Sequence, residues 1–189
     1  MASEHSLFED SDRDTLANLD RARLNRLMRV ATAMTIVLGV SVLVQLLIPY
    51  RGYFPADLQD SVFLSAHRGH FHGWYRFAFY VHIVAGPIAL VQGAALFFSG
   101  SRRKRIPPWH RVIGRVQAAV VLLFLFPSGL VMAQYAMAGP TAEAAFTLLS
   151  LATAVTMAMA IRSAMVGRMT QHRLWATRCF LLLGSPLLL

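Results

Sequence analysis

An all-α, membrane-embedded helical bundle is the fold this sequence predicts, and three observations predict it. The 189-residue chain is 56% hydrophobic and only 14% charged, against about 25% charged in a soluble domain; its mean hydropathy is +0.51. The apolar residues gather into runs that approach the roughly 20 residues needed to cross a bilayer core. The basic residues cluster at alternate ends of those runs. Together these features predict one polytopic bundle of about four full spans plus a fifth partial span.

The chain opens on a polar element. Ser11 with Asp14 three residues on has the form of a capping box, and Leu16, Leu19 and Leu27 share a helical stripe. Residues 1–29 are therefore expected to be a cytoplasmic segment with a short amphipathic helix, leading into a transmembrane bundle over 30–189. This start is acidic and basic rather than apolar, which argues against a cleavable signal peptide and a secreted fate.

The first span is expected from Val30 to Ile48, closing at Pro49 and Tyr50. The second, Trp74 to Phe98, opens on Trp74, Tyr75, Phe77, Phe79 and Tyr80, an interfacial belt in composition. A third covers Val112 to Met137 and a fourth Ala142 to Met165, where Glu143 favours the positive start of the helix. The last run, Leu174 to Leu189, makes only roughly 24 Å of helix at 1.5 Å per residue. It either tilts poorly into the membrane or begins a helix that a longer protein continues. Pro87 and Pro127 lie inside spans, where a proline can kink a helix and free a carbonyl. Pro107 and Pro108 stop the chain between spans.

Orientation follows from charge. Arg13, Arg21, Arg23, Arg26, Arg29, Arg102, Arg103, Lys104, Arg105, Arg111, Arg115, Arg162, Arg168, Arg173 and Arg178 fall on one side, and Arg51, Arg68 and Arg76 on the other. The fuller side is expected to be cytoplasmic, and the N-terminus with it. The net charge of +9 is thereby a matter of topology. No nucleic-acid partner is expected, because the basic residues hug membrane ends rather than forming a free face with interleaved aromatics.

Several chemistries are excluded by absence. Cys179 is the lone cysteine, so there is no internal disulfide, iron–sulfur ligand set or CxxCH haem attachment. The sequence lacks a GxxxxGK[ST] phosphate loop, a GxGxxG fingerprint, a GxSxG elbow and an HExxH helix. A self-contained hydrolase, kinase or dehydrogenase is not expected.

Histidine carries what chemistry remains. His82 in YVHIVAG, His110 in HRVIGR and His172 in HRLWATR each enter an apolar helix with a small residue one turn on, Gly86, Gly114 and Ala176. Such a pairing leaves a notch for a helix, a lipid head or a cofactor edge, and an ionisable group in a span raises a functional hypothesis by default. His110 and His172 both begin helices at the basic side and are expected to approach one another, whereas His82 lies deeper from the opposite side. With Arg111, Arg115, Arg173 and Arg178 nearby, the pair reads as axial ligands to a b-type haem, as a grip on lipid phosphate or another anion, or as plain interfacial anchors. His82 with Gly86, Ala89 and Gly93 reads as a close-packing seam, with Gly114 offering the same close approach on the next helix; the alternative is a shelf for a planar cofactor. His67, His70 and His72 have spacing that can chelate zinc or copper, or are solvated.

At H-x-x-x-G, HRxxGR and HRxWxxR the chain resembles a family of bacterial membrane proteins of unknown function. The matching positions are His82 and Gly86; His110, Arg111, Gly114 and Arg115; and His172, Arg173, Trp175 and Arg178. Gln117 departs from an aromatic usual in the family and Ala176 from a common Met, and the chain ends before the family's later helices. The resemblance implies a bacterial inner membrane and a fold distantly similar to cytochrome b561-type bundles, hence haem b as a candidate cofactor.

Two functions follow as expectations. The first is a non-catalytic subunit that packs on a larger membrane complex, binds lipid, or both. The second is a small b-type cytochrome moving electrons to or from quinone. Absence of a soluble catalytic domain favours the first.

Overall fold

The computed structural model describes residues 22–30, 32–34, 37, 39–45, 47–102 and 107–188. Every regular element among them is helical, and four helices have the length and hydropathy to cross a membrane: Ala22–Gly52, Gly73–Ser99, Pro108–Ala133 and Pro140–Met165. We number the helices α1 (Ala22–Gly52, closing in a 3-10 turn over Ile48–Gly52), α2 (Val62–Ala66) and α3 (Gly73–Arg102). Next comes one rod built from α4 (Pro108–Ala119), a π-helical stretch (Val120–Leu125) and α5 (Phe126–Ala133). It is followed by α6 (Pro140–Met165) and α7 (Met169–Gly184), which ends in a 3-10 turn over Ser185–Leu188. The expected capping box at Ser11 and Asp14, Leu16 and Leu19 of the amphipathic stripe, and Arg103, Lys104 and Arg105 lie outside the described residues.

Boundaries shift where backbone conformation overrides hydropathy. The third span ends at Ala133 rather than Met137, because the chain turns through Tyr135 and Ala136 into Gly139, whose φ of +78° is accessible mainly to glycine. The last helix starts at Met169 rather than Leu174. Gly167, at φ +75°, ends α6 in a tight turn in which the Arg168 N–H donates to Ser163 O at 2.9 Å. α7 therefore has 16 residues and gains a polar first turn that hydropathy alone hides.

The chain divides into two compact units, Met1–Pro49 and Tyr50–Leu189. The first shows α1 with Leu24, Leu27, Met28, Val37 and Val44 exposed. The expected boundary at 29/30 was one between water and lipid; this one is between packing units.

The second unit has two cores. One is an aromatic cap around Leu64, Phe71, Tyr75 and Phe79, with Tyr53, Phe63 and Tyr80 packed on it. Phe79 meets Tyr53 edge-on at 5.2 Å and Phe71 at 5.3 Å, centroid to centroid, the arrangement that aromatic quadrupoles favour. The other lies between the long helices, around Ala89, Val121, Met157 and Cys179.

The two intrahelical prolines are accommodated in different ways. Pro87 has no N–H, so Ile83 O four residues earlier loses its helix donor, and the Tyr50 hydroxyl donates to that carbonyl. Pro127 follows directly on the π-helical stretch, where the Phe126 N–H reaches back to Val121 O. That wider turn, rather than a hydroxyl, accommodates Pro127; the Ser128 hydroxyl bonds the next carbonyl along, Phe124 O, at 2.6 Å.

Candidate functional site: histidines with one nitrogen committed

His82 sits on α3 facing the π-helical stretch and α5. Its Nδ1 lies 3.1 Å from Ser128 Oγ. That hydroxyl has one proton, directed at the carbonyls of Phe124 and Leu125, so it accepts from histidine and Nδ1 carries the hydrogen. Gly129 makes the approach possible: a Cβ there would lie 2.9 Å from Ser150 Oγ and 3.4 Å from His82 Cε1. The ring also interacts with the Leu125 backbone on the same side.

His110 and His172 repeat the pattern at the other end of α3. His110 Nδ1 is 2.9 Å from Ser99 Oγ, whose proton goes to Leu96 O. His172 Nδ1 is 2.9 Å from Ala160 O, which can only accept. Both rings therefore donate through Nδ1 and present Nε2 as an acceptor or ligand. They lie within Coulombic reach of each other, while His82 is held apart against α5.

The small-residue stripe of α3 is occupied from within the chain. Ala89 is wholly buried. A Cβ at Gly93 would lie 2.9 Å from Phe180 Cδ2 on α7, and one at Gly86 would lie 4.0 Å from Leu125 Cδ1. At Gly114 a Cβ would meet nothing within 4 Å among the described residues, so a packing role there asks for a neighbour other than these. Gln117, where the resemblance led to an aromatic, is buried and its Nε2 donates to Ala89 O at 3.0 Å, while its Oε1 and that of Gln92 lack partners.

The loop histidines divide. His67 is buried, with Nδ1 2.9 Å from Phe63 O and Nε2 3.2 Å from Tyr135 O, and its ring stacks on Phe63 and Tyr75. His70 and His72 are exposed. Among the described residues no three His, Cys, Asp or Glu side chains gather as a metal-holding group.

Of the arginines, Arg178 stacks over Trp175 with its guanidinium carbon 4.7 Å from the ring centroid, while Arg111, Arg115 and Arg173 are exposed. A cavity of about 530 Å³ opens at the α6–α7 turn, lined by Met159, Arg162, Ser163, Val166, Arg168, Gln171 and Trp175.

Residues 79–188 match the model of a family described as predicted membrane protein (DUF2306). This chain belongs to that family. The matched region holds His82, His110 and His172 together with Ser99, Ser128 and Ala160, so every one of these three rings and its Nδ1 partner lies inside the DUF2306 region. No curated protein and no solved structure matches the chain.

Sequence reasoning missed Ser99, Ser128, Gly129, Arg162 and Arg168 as site neighbours. Ser99 and Ser128 carried no motif, although a serine one residue after a proline in a span is a signal of a local donor in retrospect. Arg162 and Arg168 were read only as topology.

Proposed function

We propose that this DUF2306 protein is a small membrane redox carrier that holds a b-type haem, with His110 and His172 as the ligand pair. The observation behind this reading is that each ring has Nδ1 committed as a donor, while its Nε2 has no hydrogen bond among the described residues. A histidine that ligates a metal through one nitrogen characteristically donates the other N–H to a carbonyl or hydroxyl, which fixes tautomer and orientation. The donor set also suits haem, whose iron two neutral imidazoles would hold. Haem, when bound, supplies one-electron chemistry. The chain's own part is to hold both rings in the ligating tautomer, to exclude water with the Ala89, Val121 and Met157 core, and to offer Arg111, Arg115 and Arg173 at the same end for acidic substituents. His82, with its own committed Nδ1, is a candidate for a second, separate ligand position.

The site is proposed to face the cytoplasm of a bacterium, with the protein in the inner membrane and its N-terminus inside, on the support of fifteen basic residues against three. The test is a reduced-minus-oxidised spectrum of protein purified from haem-supplied cells, with extraction of the cofactor as its pyridine adduct. A sharp visible band in stoichiometric amount is expected. Colourless protein with no extractable haem overturns the reading.

A non-catalytic subunit of a larger complex is the second reading. One observation favours it: Gly114 offers an open notch flanked by exposed Val112 and Val116, which the described residues leave unfilled. The α3 seam does not add to this reading, since Phe180 of α7 faces Gly93 and Leu125 faces Gly86 from within the chain.

A further inference from the structure

We infer that the cavity at the α6–α7 turn binds a phosphate oxyanion, supplied by the headgroup of an anionic membrane lipid. Its wall carries two guanidiniums, Arg162 and Arg168, the amide of Gln171 and the ring of Trp175 over a buried Ser163 floor. The Ser163 hydroxyl is already committed to Met159 O at 2.7 Å, so the arginines and Gln171 are the donors left for a ligand. Neither arginine meets a carboxylate among the described residues. The composition of the second unit explains why: its acidic residues are Asp57, Asp60 and Glu143. The two aspartates lie in the loop before α2, and Glu143 lies in the first turn of α6, at the far end of that helix from this turn. Two positive charges lining a concave site with no counter-charge among the described residues invite an anion, and arginine forks match phosphate oxygens in pairs.

Position selects the source. The turn Val166–Arg168 terminates the 26-residue apolar α6, which places it where a spanning helix meets the headgroup layer. Trp175, held by Arg178 at 4.7 Å, is a residue type suited to that layer. The volume, about 530 Å³, falls in the range of roughly 300–1,000 Å³ typical of ligand clefts. The inference is independent of haem: the Nε2 atoms of His110 and His172 are no part of this wall, and its failure leaves that reading intact.

The test uses the full chain in nanodiscs of phosphatidylcholine. Thermal stability is read on adding phosphatidylglycerol to the disc, and separately on adding inorganic phosphate against chloride at equal ionic strength. Co-purifying lipid is counted by native mass spectrometry. A rise with phosphatidylglycerol alone is expected and assigns the lipid; a rise with inorganic phosphate in neutral discs supports an oxyanion site fed from solution instead. In Arg162→Gln/Arg168→Gln the binding should weaken by about 25-fold, on the order of fivefold per basic residue near an anionic surface. Arg76→Gln, at the aromatic cap, should leave it unchanged. Stability in pure phosphatidylcholine checks that the variant folds; should the double variant fail there, Arg168→Gln alone, in an exposed turn, should still lose about fivefold. No rise with either anion, or a rise equal in parent and arginine variants, overturns the inference.

Discussion

His67 and His172 are the same residue in opposite circumstances. In the aromatic cap both nitrogens of His67 face carbonyl oxygens, Phe63 O and Tyr135 O, and its ring stacks on Phe63 and Tyr75. At the other end of the unit His172 spends one nitrogen on Ala160 O, and its second has no hydrogen bond among the described residues. The cap uses its polar atoms to hold itself together. The helix ends keep one in reserve. What separates a structural histidine from a candidate ligand is thus the second nitrogen, a property that residue type and sequence spacing do not carry.

The largest effect should come from exchanging the two. His172→Leu is expected to abolish the haem band while the protein still folds, whereas His67→Leu should keep the band and lose stability. The second loss should be about 1–3 kcal/mol, the range for removing a buried hydrogen-bonding group whose partners stay behind. Denaturation followed by tryptophan fluorescence, with the spectrum recorded in parallel, separates the two outcomes; a lost band in His67→Leu at unchanged stability would erase the contrast.

The glycines sharpen it next. Gly93→Leu should destabilise by about 1–3 kcal/mol, since even its first added carbon would lie 2.9 Å from Phe180 Cδ2. Gly114→Ala, with open space around its Cβ, should instead gain up to about 1 kcal/mol from helix propensity. Thermal unfolding of both variants in the same detergent checks this; equal losses would mean that Gly114 is covered by something other than the described residues.

Smaller still is Tyr50→Phe, which deletes the hydroxyl answering Pro87 at Ile83 O. A loss of about 0.5–1.5 kcal/mol is expected, with faster amide exchange around Ile83. The double change Tyr50→Phe/Pro87→Ala should recover part of that loss, because an alanine in place of the proline restores the missing N–H donor.

The smallest effect is one of pH in the loop before α2. Asp57 Oδ1 accepts the N–H groups of Asp60 at 3.0 Å and Gln59 at 2.8 Å, and these bonds hold its carboxyl below the usual carboxylate range. A lowered folded value means that the turn's extra stability is present above the ordinary carboxylate range and is lost as pH falls through the lowered one. Amide exchange of Gln59 and Asp60, measured from neutral to acid pH, should show their protection lost in that window, and Asp57→Asn should flatten the dependence.

Hydropathy and charge determined the class, the number of spans and the approximate extent of each, because the bilayer demands about 20 apolar residues whatever the fold. The prolines announced where carbonyls would be freed, and the HR motifs placed His110 and His172 at helix starts. Which hydroxyl answers Pro87 was not legible: Tyr50 is 33 residues from Ile83 in sequence. Nor was the occupant of the α3 stripe, since Phe180 and Gly93 share no local pattern. The arginine-lined cavity was hidden because Gly167 folds the chain back sharply enough to bring Arg162 and Arg168 to one wall. Membership of the apolar interior is a property of each residue, and a sequence records it position by position. The state of a histidine's second nitrogen depends on a partner brought from a distant segment, and only tertiary packing decides which partner that is.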